Sequence, residues 1–96
     1  MRKIGMFYGS RVRMLEQFEK HVNAVSGPHF GNDVKVCGRT MTITVGNYKY
    51  MYYAFEREGS ALTKIAGIEF DAMFSEDLNE HCKRYVLSRF RPRFDK

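Results

Sequence analysis

The chain predicts an α/β fold: a small mixed sheet of about four to five strands with a β-hairpin and two main helices. Three observations carry that expectation. The run KIGMFY (residues 3 to 8) is mostly apolar without clean alternation, as a strand buried on both faces is. Two later segments repeat apolar residues at helical spacing. Between two β-rich runs stands Gly46-Asn47, a tight-turn dipeptide.

The elements follow in order. After the first strand, Gly9 and Ser10 break the run, and Ser10 is placed to cap a helix whose apolar positions are Met14, Leu15, Phe18, Val22 and Val25. SGPHFGND (26 to 33), with two glycines and a proline, reads as a loop. VKVCGRTMTITV (34 to 45) is β-branched and alternates over Thr40 to Val45, and YKYMYYAF returns as the second arm of the hairpin. EREGS (56 to 60) reads as a polar turn, ALTKIAG as a short link, and IEFDAMF (68 to 74) as another buried strand. From about Asp77 to Phe90, the residues Leu78, Cys82, Tyr85, Val86 and Phe90 share one helical face, and Pro92 is the expected stop.

The whole chain, residues 1 to 96, reads as one domain with a basic tail over 91 to 96. Aromatic residues at 15% argue against disorder. Arg11 and Arg13 follow the first apolar run too closely for a signal peptide, and no run reaches membrane-spanning length, so a cytoplasmic protein without a membrane partner is expected. Cys37 and Cys82 are far apart, His21, His29 and His81 are scattered, and no paired spacing supplies a zinc site; no metal or cofactor is expected. Two helices are few for a sheet with parallel strands, which predicts a protein partner or a homo-oligomer.

The segment KIAGIEFDAMFSEDL (64 to 78) resembles the Walker B region of the large terminase ATPases of tailed phages, and more loosely that of helicase-type motors. Lys64 and Gly67 stand where that family places a turn, Phe70 and Asp71 open the strand similarly, and RYVLSRFRPR is similar to the basic helix that follows. IGMFYGSRVRMLEQFEKHV resembles the strand and helix that helicases call motif Ia, and the hairpin occupies the family's place between them. The resemblance spans about residues 3 to 93 and implies part of a RecA-like core, phage-encoded and acting in the host cytoplasm, in which the motif Ia and Walker B strands are neighbours.

The departures from the family remove its chemistry. No Gly-x-x-x-x-Gly-Lys-Ser/Thr loop is present, so the backbone nest and lysine that hold nucleotide phosphates are missing. The Walker B-like acids Glu76 and Asp77 come in reverse of the family's Asp-Glu order, which alters the reach of both the magnesium ligand and the water-orienting group. The resemblance therefore implies a vestigial site rather than an ATPase. A two-metal nuclease cluster of Glu69, Asp71, Glu76 and Asp77, or one part of a split ATPase, is the enzymatic alternative; the other reading of Glu76 or Asp77 is a helix cap. Cys82 and His81, adjacent on a helix, point apart and form no nucleophile and base pair.

The formal charge of +5 suits an acidic partner. Lys83, Arg84, Arg89, Arg91, Arg93 and Lys96 crowd the end of the chain, and Arg2, Lys3, Arg11 and Arg13 make a second cluster. Arg11 and Arg13 fall where helicase-like families touch the nucleic-acid backbone. Tyr48, Tyr50 and Tyr52 share a strand face that either stacks bases or covers the core. The expected function is non-catalytic binding of nucleic acid or a nucleoprotein complex through Arg11, Arg13, Lys83, Arg84, Arg89, Arg91 and Arg93. The alternative is a protein-interaction module that docks on and inhibits a host or phage enzyme.

Overall fold

The computed structural model describes residues 1–26, 33–55 and 65–91. The elements are β1 (Arg2–Tyr8), α1 (Arg11–Val25), β2 (Val34–Cys37), β3 (Thr42–Val45), β4 (Tyr48–Ala54), β5 (Ala72–Glu76) and α2 (Glu80–Ser88). The strands form one five-stranded sheet in the order β2-β3-β4-β1-β5. β1 lies parallel to β4 and to β5, while β3 runs antiparallel to β2 and β4. The architecture is the mixed α/β sheet with two helices that the hydrophobic pattern predicts.

Alternation along the strands assigns each face its helix. Tyr8, Ile43 and Tyr52 point to the side of α1 and form one cluster with Met14 and Val25. Phe7 points the other way and packs with Phe55, Ile65, Phe70 and the α2 residues Cys82 and Val86. Each fully buried aromatic or aliphatic side chain contributes about 1.5–3 kcal/mol. Phe7, between the rings of Tyr53 and Phe70 at 5.5 and 5.3 Å, joins β1, β4 and the segment before β5.

Local rules account for most boundaries. The Ser10 hydroxyl accepts the Arg13 N–H at 3.3 Å and starts α1. The Gly46-Asn47 turn, with Gly46 in the left-handed region at φ 57°, joins β3 to β4 with Val45 opposite Tyr48.

Several expectations need correction. The run from 34 to 45 is two antiparallel strands, because Gly38, Arg39 and Thr40 turn and Met41 adopts φ 54°. β5 begins at Ala72 rather than Ile68; the Phe70 N–H bonds to the Arg89 carbonyl at 2.8 Å and the Arg91 N–H to the Phe70 carbonyl at 2.8 Å, which ties that residue to the end of α2. α2 starts at Glu80, not Asp77, because Asn79 caps it, and it stops at Ser88 before Pro92. Leu15 and Phe90, counted as core positions, are 40% and 37% exposed at the margins of their stripes. The loop expected over 26 to 33, the polar turn at 56 to 60 and Arg93 with the rest of the tail lie wholly or mostly outside the described residues.

Candidate nucleic-acid interface

β1 and β5 end side by side, and the chain leaves them toward opposite faces, α1 to one and α2 to the other. In open α/β sheets this is where a ligand crevice forms. Here it is filled. The Gly9 N–H donates to the Glu76 carbonyl at 2.9 Å, and any Cβ on Gly9 would run into the Asp77 carbonyl oxygen. Arg13 reaches over from the first turn of α1, with Nε 2.9 Å from Glu76 Oε2 and Nη1 3.5 Å from Glu16 Oε2. The hydrogen bond and charge of Glu76 raise the Arg13 pKa, and burial, with Glu76 second, raises that of the Tyr8 hydroxyl.

The Walker B-like acids thus have structural surroundings. Glu76 is held by Arg13, and Asp77 is exposed with φ 56°. Neither caps α2: the Asn79 Oδ1 accepts the Cys82 N–H at 2.8 Å. Glu69 and Asp71 precede β5 while Glu76 and Asp77 end it, so the imagined four-acid cluster is split along a strand about 17 Å long. Among the described residues no group of three or more His, Cys, Asp or Glu side chains gathers in metal-binding geometry. Cys82 is buried and His81 exposed, pointing apart as adjacent helix residues do.

The basic clusters read from the sequence are rearranged. Arg2 and Lys3 open β1 while Arg11 and Arg13 follow its far end, about 23 Å away, so they form no single cluster. Lys83 and Arg84 are exposed near the start of α2. Arg89 is half-buried at its end, with the guanidinium 5.5 Å from the Tyr85 ring centroid. Arg91 lies by Lys3, and the two share a recess of about 280 Å³ with Glu69 and Asp71.

Strand register assembles a different set. Lys35 pairs with Thr44, Thr44 with Lys49, and Lys49 with Lys3. Directly paired residues project to the same face, so three lysines from β2, β4 and β1 stand in one row across three strand spacings, about 14 Å. This is the face opposite α1. None of the three is held in an ion pair with a described carboxylate. Of the row only Lys49 reaches a groove of about 560 Å³ along β4, whose lining joins Lys49, Thr42 and Met51 of this face to Arg39 and to Arg11, Met14 and Tyr52 of the α1 side, with no carboxylate among the described lining residues. Cys37 lies on the same face beside Lys35, exposed, and hydrogen bonds from Thr40 lower its thiol pKa.

Sequence reasoning missed Lys35, Lys49 and Arg39. The hairpin turn fixes the Lys49–Thr44 register and so held half of the signal. Lys3 joins the row only through parallel pairing between distant segments, which no local pattern encodes.

The tyrosine face belongs to the core. Tyr52 is buried beneath Phe18 and His21, and Tyr50 meets the His21 ring edge-on at 4.5 Å. Only Tyr48 at the strand start is exposed. The Tyr52 hydroxyl and His21 Nδ1 share a hydrogen bond of 2.7 Å; burial raises the Tyr52 pKa and lowers that of His21.

Comparison with protein families, with curated proteins and with solved structures gives no match.

Proposed function

We propose that this protein is a non-catalytic nucleic-acid-binding protein that holds the phosphate backbone with the cations on the sheet face opposite α1. The observation that carries the reading is the register of Lys35, Lys49 and Lys3. A row of lysines on one face, of which Lys49 also lines a groove with Arg39 and Arg11 where none of the described lining residues is a carboxylate, suits a polyanion read by charge rather than by sequence. At the Lys3 end, Glu69 and Asp71 dilute the charge, so the stretch from Lys35 to Lys49 is the stronger part of the footprint. The filled crevice between β1 and β5 supports binding rather than turnover. The sequence resemblance extends the proposal to a phage-encoded descendant of a terminase-like core, in which the motif Ia and Walker B strands would be neighbours as β1 and β5 are here.

The test is binding of labelled single- and double-stranded DNA and RNA over a salt series, with wild type and a Lys3→Gln, Lys35→Gln, Lys49→Gln triple variant. On duplex DNA the slope of log K against log salt should fall by about 0.9 for each phosphate that the variant no longer neutralises. Bound nucleic acid should also slow alkylation of Cys37, whereas Cys82 is buried and serves as the internal control. An unchanged slope together with an unprotected Cys37 would sink the reading.

A further inference from the structure

The far edge of the sheet has a different character. Among the described residues no strand pairs with the outer side of β5. The Gly9 N–H donates to the Glu76 carbonyl at 2.9 Å, and with Met6 opposite Phe74 and Tyr8 opposite Glu76 the alternation along the strand turns the N–H and C=O of Met73 and Ser75 away from β1. β5, with sequence AMFSE, contains no proline or lysine, the usual devices that blunt an edge. Beside it lies a groove of about 160 Å³ between Met73, Phe74 and Ser75 of β5 and Lys83, Val86, Leu87 and Phe90 of the α2 segment. Phe74 is 46% and Leu87 57% exposed.

We infer that this edge binds a second copy of the chain by antiparallel pairing of β5 with β5 about a two-fold axis through Phe74, making one continuous sheet. The strand itself has the required chemistry. With Phe74 opposite Phe74 as a non-hydrogen-bonded pair, the outward-facing N–H and C=O of Met73 in each copy meet those of Ser75 in the other. Both α2 helices fall on one face, where Met73 of one copy sits opposite Ser75 of the other and enters the groove lined by Val86, Leu87 and Phe90. Asp71, whose Oδ2 accepts the Lys3 N–H at 2.8 Å, is brought to the end of the strand where Lys83 stands, and Lys83 has no ion-pair partner among the described residues. Charge favours this edge over the other: the lysine row runs toward β2, so copies joined at β5 keep those cations apart, whereas pairing at β2 would bring Lys35 against Lys35.

The experiment is light scattering of the full chain without nucleic acid, from low to high micromolar concentration, on wild type, Phe74→Lys and Leu87→Glu, with circular dichroism as the check on folding. Wild type should pass to a dimer, and each variant should weaken the dimer about tenfold or more while remaining folded. A Phe74→Cys variant in a Cys37→Ser background should form a disulfide-linked dimer, since the Cα atoms of a non-hydrogen-bonded pair lie about 4.5 Å apart, within disulfide reach. A wild type that stays monomeric overturns the proposal. So does a dimer unaffected by both charged variants, or one that Phe74→Cys does not link. Because nucleic acid is absent, these outcomes are independent of the lysine row.

Discussion

The two edges of the sheet solve the same problem differently. β2 is four residues long with Lys35 inside it, and its neighbours Thr44 and Lys49 extend a polar, cationic row inward. β5 is five residues long, carries Phe74 at its centre and borders an apolar groove. A lysine on an edge repels a further strand; a phenylalanine beside outward-facing amides invites one. The difference assigns β2 and its neighbours to phosphate and β5 to protein, and it can be tested from both sides.

The largest effect should come from removing what holds β5 in place. Phe70 is fully buried, meets the Phe7 ring edge-on and bonds through its backbone to Arg89 and Arg91. Phe70→Ala should cost about 3–5 kcal/mol in urea denaturation through loss of burial and an unfilled cavity. Dimerisation should be lost with it. A cost below about 1 kcal/mol would show that the β5 edge is not supported by this core.

Next come the lysines. Lys3→Gln, Lys35→Gln and Lys49→Gln together should reduce the salt dependence of nucleic-acid binding while changing stability by no more than about 0.5 kcal/mol. Self-association should be unchanged. If the triple variant dissociates the dimer as well, the two edges are not functionally separate and the comparison fails.

The division was partly legible in the sequence, and the legible part was local. Ser10, the Gly46-Asn47 turn and the stripe Met14, Phe18, Val22 and Val25 acted on neighbours within a few residues, and the structure uses them as expected. The arrangement of charge was not legible, because it depends on which strands meet. Arg2 and Arg11 are close in sequence but separated by the length of β1, while Lys3 and Lys49 are distant in sequence yet directly paired. The tyrosines show the same limit: their alternation identified a face, and only the placement of α1 determined that this face is core.

A smaller effect should appear under acid. His21 packs over the β4 face with Nδ1 2.7 Å from the Tyr52 hydroxyl, and burial lowers its pKa. A depressed basic group leaves the unfolded chain binding more protons, so its contribution is complete above the ordinary histidine value of about 6.5 and is lost as pH falls through the folded value. The urea midpoint of wild type should therefore drop on acidification, and His21→Gln should flatten that part of the profile. Parallel profiles for the two proteins would mean that His21 tolerates its proton in place.

The smallest effect concerns Arg13, which the sequence places among the nucleic-acid-binding residues and the structure binds to Glu76. The pair is solvent-accessible on both sides, at 44% and 30% side-chain exposure, and exposed pairs add little to stability. Arg13→Gln should leave the urea midpoint nearly unchanged. It should also leave the salt dependence of binding nearly unchanged, because a guanidinium already facing a carboxylate has fewer counterions to release than Lys35 or Lys49. If Arg13→Gln instead weakens binding as strongly as Lys49→Gln, the nucleic acid reaches the end of the sheet where β1 and β5 meet, and the footprint extends over α1 rather than lying across the opposite face. The sign of that one comparison, Arg13 against Lys49, locates the bound backbone on the molecule.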